Sequence, residues 1–120
     1  MKTRNVVQDK SFAFSIKCIR IYQRLSREKT EYVLSKQLLK SGTSIGANVE
    51  EAIGAQSRRD FFAKMSIAYK EARESHYWVR LMSETGYLTI SEKESLITDI
   101  DELCRLIGRI KISTQRNLDT

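Results

Sequence analysis

Proline is absent from all 120 residues, histidine occurs once and cysteine twice. Without proline, long helices free of kinks suit the chain better than a strand-and-turn architecture. A single histidine, His76, excludes the di-metal carboxylate centres of helical bundles, which need two Glu-x-x-His pairs. Cys18 and Cys104 form no Cys-x-x-Cys pair and read most simply as free thiols in a reducing cytoplasm. No apolar run approaches the roughly 20 residues that cross a bilayer. The opening Met1-Lys2-Thr3-Arg4-Asn5 is basic but leads into no apolar segment, so it does not read as a secretory signal. Paired catalytic carboxylates are missing too: Glu50 and Glu51 are adjacent and diverge by about 100° on a helix. The expectation is a protein that is not an enzyme, with no cofactor and no metal.

What remains is an ordinary globular balance, 41% hydrophobic and 30% charged, at a length that fits one domain spanning 1–120. The net charge of +6 is unevenly placed. Residues 1–30 hold eight Lys or Arg against Asp9 and Glu28, so the other three quarters sum to zero. Basic excess confined to one element points to a polyanionic partner.

Hydrophobic periodicity predicts four helices, at about 8–27, 32–55, 57–85 and 91–115. In the first, Phe12, Ile16 and Ile19 recur at helical spacing and are expected to face the core. The second places Leu34, Leu38, Ser41, Ile45, Asn48, Val49 and Ala52 on one face. The third opens on Ser57-x-x-Asp60 and carries Phe61, Met65, Ala68, Ala72, Ser75, Val79 and Met82 inward, with Gly86 as its left-handed stop. The fourth is expected to open on the capping box Ser91-x-x-Glu94, with Leu96, Ile100, Leu103, Ile107 and Ile110 inward. Connections this short predict an all-α, antiparallel up-down-up-down four-helix bundle.

The tract Ser41-Gly42-Thr43-Ser44-Ile45-Gly46-Ala47-Asn48 resembles a phosphate-cradling loop, yet no Lys-Ser/Thr pair follows its glycines and no strand precedes them. Gly42 and Gly46 read instead as a small-xxx-small pair that admits a neighbouring backbone, with a flexible interhelical loop as the alternative. Their cost in helix propensity, about 1 kcal/mol each, needs close packing to offset it. Ser41 and Asn48, in the core row beside Ile45, are expected to hydrogen-bond across the bundle.

The first helix carries a second apolar row, Phe14, Cys18, Ile21 and Leu25, roughly opposite the first. One row suffices for a core, so this one is expected to meet another copy of the chain, with Ile67, Trp78 and Leu81 of the third helix. The alternative is that such residues merely cap the bundle edge. A third sector holds Lys10, Lys17, Arg20, Arg24 and Arg27 with no acid among them. Such a stripe suits the phosphates of structured RNA, with Arg58 and Arg59 extending it. The alternatives are a solvated face or a dock for an acidic protein, in which case the chain is an interaction scaffold. Aromatics are not interleaved with the stripe, so backbone charge rather than base stacking should lead any RNA binding.

The central tract, followed by Ser57-Arg58-Arg59-Asp60-Phe61, Ile67-Ala68-Tyr69-Lys70-Glu71-Ala72, Tyr77-Trp78 and Glu84-Thr85-Gly86-Tyr87-Leu88, resembles the bacterial four helix bundle protein family. Its members include ribosomal-protein-like products of intervening sequences in large-subunit ribosomal RNA genes. The resemblance implies a cyclic homo-oligomer, a pentamer in known relatives. It also implies a possible association with RNA and with a reverse transcriptase, the role of a relative in diversity-generating retroelements. It carries over no catalytic residue.

Overall fold

The computed structural model describes residues 2–119; Met1 and Thr120, the two ends of the expected domain, lie outside the described residues. Four helices, α1 (Lys2–Lys29), α2 (Val33–Ile53), α3 (Arg58–Glu84) and α4 (Ile90–Asp119), pack into a rod of 52 × 21 × 21 Å. No strand occurs among the described residues. Each helix packs on the next in sequence and α4 returns to α1, the sparsest of the four seams. Between α1 and α2, Gln8 meets Glu50, Gly46 meets Ser11 and Gly42 meets Cys18; between α2 and α3, Ser41 meets Ser75.

Local chemistry sets the ends. Thr30, at φ 53°, turns the chain after α1, and the Glu31 carboxylate then accepts from the backbone N–H groups of Val33, Leu34 and Ser35. Partial burial opposes ionisation of Glu31, but these donors outweigh it and hold the carboxyl below its ordinary range. The Ser57 hydroxyl caps α3 by accepting from the Asp60 N–H. After α3, Gly86 at φ 85° closes a Schellman turn, with Tyr87 N–H donating to Met82 and Gly86 N–H to Ser83. The capping box of α4 is Thr89-x-x-Glu92, reciprocally bonded at 3.0 and 2.9 Å, and not Ser91-x-x-Glu94. Both pairs satisfy the Ser/Thr-x-x-Glu pattern, and the earlier one wins because the helix already begins at Ile90.

The inward rows of α3 and α4 lie where their periodicity puts them, from Phe61 to Met82 and from Leu96 to Ile107. The rotation of α1 is the reverse of the expected one. Phe14 is 1% exposed, and Cys18, Ile21 and Leu25 are buried with it in the bundle's own core, so these four are not available to another copy. Phe12 is 65% exposed, with Ile16 and Ile19 on the same outward side. α1 also begins at Lys2, ahead of the expected Gln8, and thereby adds Val7 to the core.

Gly42 and Gly46 explain the rotation. A Cβ at Gly42 would collide with Cys18 Sγ and lie 3.3 Å from the Phe14 ring. A Cβ at Gly46 would come within 3.3 Å of the Ser11 carbonyl. The small-residue side of α2 therefore seats the Ser11–Phe14–Cys18 side of α1, backbone nearly on backbone. Ile45 is fully buried beside them. On the next side of α2, Ser41 Oγ accepts from Ser75 Oγ at 2.9 Å, a buried bond between α2 and α3. Asn48 does not reach across the bundle: its side-chain amide donates back to the Ser44 carbonyl and hydroxyl, one turn earlier. Half-exposed, it has a local partner within reach and no need of a remote one.

Candidate nucleic-acid interface

The basic stripe of α1 lies against α4, and α4 meets it with acids. Lys10 pairs with Glu102 at 3.2 Å, Lys17 with Asp99 at 2.6 Å and Arg24 with Glu92 at 2.7 Å. Lys17 Nζ also donates to Ser95 Oγ. These cations follow one another at intervals of seven, so they form a line along the sparsest of the four seams. Three members of the expected phosphate-binding stripe thus fasten α1 to α4. Arg20 and Arg27 are exposed and make no ion pair among the described residues. Arg20 borders a shallow hollow of about 330 Å³ on the same seam. Arg58 and Arg59 are exposed at the start of α3, and Arg58 lines a second hollow of about 410 Å³ with Thr114 and Asn117.

Sequence reasoning missed a further basic surface. The half of α4 from Leu103 to Leu118 holds Arg105, Arg109, Lys111 and Arg116 and no acid, whereas Ile90 to Glu102 holds five acids and one lysine. Summing charge over three quarters of the chain hid this polarity. Charge counted along α4 itself reveals it. With α3, this half forms a groove of about 630 Å³ in which Arg105, Arg109 and Lys111 surround Tyr69 and Gly108. Lys111 Nζ lies 5.0 Å from the Tyr69 ring centre and 5.6 Å from that of Phe62.

Several other chemistry-bearing groups are buried or engaged within the fold. Burial, with Asp99 nearby and Lys17 opposing, pushes the Cys18 thiol up to about 12. Burial likewise raises Cys104, against the pull of Arg73. Neither thiol is poised as a thiolate nucleophile. His76 accepts from Arg80 Nε and sits 3.7 Å from Asp101. Glu51 pairs with Lys64 across the α2–α3 seam. No cluster of three or more metal-ligating side chains occurs among the described residues. No helix there is long and apolar enough to cross a membrane.

Exposed apolar side chains occur on all four helices, including Val33 on α2 and Ile90 and Ile112 on α4. On α1 they are Val6, Phe12, Ile16 and Ile19. On α3, Ile67 is exposed, while Trp78 and Leu81 are half-buried, Trp78 donating to Glu74 and packing edge-on to Tyr77.

Comparison with known proteins agrees with this architecture. A solved structure from Bacteroides thetaiotaomicron, described as a protein of unknown function from the S23 ribosomal protein family, superposes with a TM-score of 0.89. It is 47% identical over 91% of this chain and 97% of its own. No curated protein matches. The family model described as 23S rRNA-intervening sequence protein matches residues 3–109. With the match running from the first turn of α1 almost to the last turns of α4, the chain belongs to the 23S rRNA-intervening sequence protein family.

Proposed function

We propose that the chain is a non-enzymatic, self-associating antiparallel bundle that binds structured RNA, alone or within an RNA–protein complex. The observation that carries this reading is the cation surplus left after internal pairing. Carboxylates of α4 and α2 engage Lys10, Lys17, Arg24 and Lys64, yet Arg20, Arg27, Arg58 and Arg59 stay exposed without an ion pair among the described residues. Free arginines at a surface suit phosphate oxygens, which they grip in a fork.

Self-association rests on the outward row Phe12–Ile16–Ile19, which a lone bundle leaves in water. A ring of copies, pentameric as in the relatives the sequence resembles, would cover that row and repeat the cationic surface around an axis. A reverse transcriptase or other RNA-associated protein fits as a partner of such an assembly. The setting expected is the cytoplasm.

Affinity for a structured RNA, measured over several salt concentrations, tests the reading. Wild type should bind with a steep inverse salt dependence, and an unrelated duplex should compete. Absence of binding at low salt would overturn it in favour of a scaffold that docks an acidic protein. Light scattering tests the assembly: a mass equal to one chain would remove the ring.

A further inference from the structure

We propose that the groove between α3 and the C-terminal half of α4 is the main seat of the RNA phosphodiester backbone, an inference that rests on the RNA-binding reading above. The lining contributes three cations, Arg105, Arg109 and Lys111, and no carboxylate. That sets it apart from the α1–α4 seam, where Lys10, Lys17 and Arg24 are each neutralised by an acid within 3.2 Å. A phosphate arriving at Lys10, Lys17 or Arg24 must compete with those acids or strip them away. At the α3–α4 groove it meets cations that make no ion pair among the described residues.

The position of Lys111 carries the same message. Its ammonium rests over Tyr69 and Phe62, partners far weaker than a phosphate oxygen. Gly108 has no side chain to raise the floor, and the Tyr69 ring edge lies 3.9 Å from where its Cβ would be. Arg105 and Arg109 stand one helical turn apart, about 6 Å along the axis, and point the same way. Arg116 continues this line toward the end of the rod. The result is a cationic track, its groove lining without a carboxylate, over an aromatic floor and suited to a polyanion of regular charge spacing. Sequence preference should be slight, because phosphate contacts position a nucleic acid without reading it.

The test compares Arg105→Gln/Arg109→Gln with Arg20→Gln/Arg27→Gln, using a fluorescent RNA hairpin titrated at several salt concentrations. The α4 pair should weaken binding about tenfold and lower the salt slope by about 2, one for each lost phosphate contact. The α1 pair should change affinity less than threefold. Both side-chain pairs are exposed, and circular dichroism confirms that each variant is folded. On wild-type protein, hairpin addition should also shift the amide resonances of Gly108 and Arg109. If the α4 pair binds as wild type while the α1 pair loses affinity, the groove assignment fails and RNA binding stands. If wild type binds no hairpin, both fail. Displacement of the hairpin by polyglutamate as readily as by unlabelled RNA would reassign the groove to an acidic protein surface.

Discussion

The first helix and the last half of the fourth carry comparable positive charge, Lys10 to Arg27 on one and Arg105 to Arg116 on the other. On α1 the line Lys10–Lys17–Arg24 faces Glu102, Asp99 and Glu92, and its charge is spent inside the molecule. On α4 the cations follow Glu102, over a groove floored by an aromatic ring and a glycine. A stripe of like charge in a sequence therefore says little until the helix opposite it is known. The first stripe closes the sparsest seam of the bundle. The second is left for a partner. The acids near the N-terminus of α4 and the bases near its C-terminus also complement its dipole, so this polarity is favourable before any partner arrives.

The rotation of α1 decides which stripe is which, and it gives the largest predicted effect. Phe14→Ala removes a fully buried ring and should cost about 3–5 kcal/mol by urea denaturation. Phe12→Ala should change the stability of the isolated bundle by less than about 0.5 kcal/mol. If instead Phe12→Ala proved the costly change, α1 would be turned over. The basic line would then point to solvent and the contrast between the two regions would vanish.

Next comes the contact that fixes the rotation. Gly42→Ala gains about 1 kcal/mol of helix propensity but drives a methyl group into Cys18, an overpacking that costs about 1–3 kcal/mol. A net loss of up to about 2 kcal/mol is expected. In a Cys18→Ala background the obstructing sulfur is gone, and the same substitution should be neutral or stabilising. Equal cost in both backgrounds would mean that α2 does not seat on α1 through this pair.

These residues also show how far the sequence could be read. Four helices, their short connections and the inward rows of α3 and α4 followed from periodicity, because each of those helices offers one dominant apolar row. α1 offers two, at the same spacing, and nothing within α1 ranks Phe14 above Phe12. The deciding information lies on other helices: the glycines of α2 need the Cys18 side, and the acids of α4 need the Lys17 side. Glu92, Asp99 and Glu102 recur at intervals of seven and three, a complement to the basic line that was present in the sequence. Matching the two lines would have oriented α1. Asn48 was misassigned for a related reason, since a half-exposed amide with Ser44 one turn away satisfies itself locally. The α4 groove stayed hidden because its aromatic floor, Tyr69, comes from α3.

A third comparison sets the two stripes directly against each other in RNA binding. Lys17→Gln/Arg24→Gln should stay within about twofold of wild type, since those side chains hold carboxylates. Arg105→Gln/Arg109→Gln should lose about tenfold, close to 1.4 kcal/mol. Equal losses in the two variants would mean that phosphates displace the α4 acids, and the distinction between fastener and binding surface would collapse.

The smallest effect concerns the fastener itself. A double-mutant cycle on Lys17→Gln and Asp99→Asn should give a coupling of about 0.2–1 kcal/mol, because both side chains are partly solvated. Raising the salt to about 1 M shortens the screening length to about 3 Å and should erase most of it. The α4 cations should behave in the opposite sense. Arg105 and Arg109 repel each other at an i,i+4 spacing, so Arg109→Gln should leave stability unchanged or raise it by a few tenths of a kcal/mol. Added salt should shrink that gain too, since it screens repulsion as well as attraction. A cation whose removal destabilises the fold is already engaged by the protein. One whose removal relieves the fold is held at some cost to stability, as expected of a charge kept for a ligand.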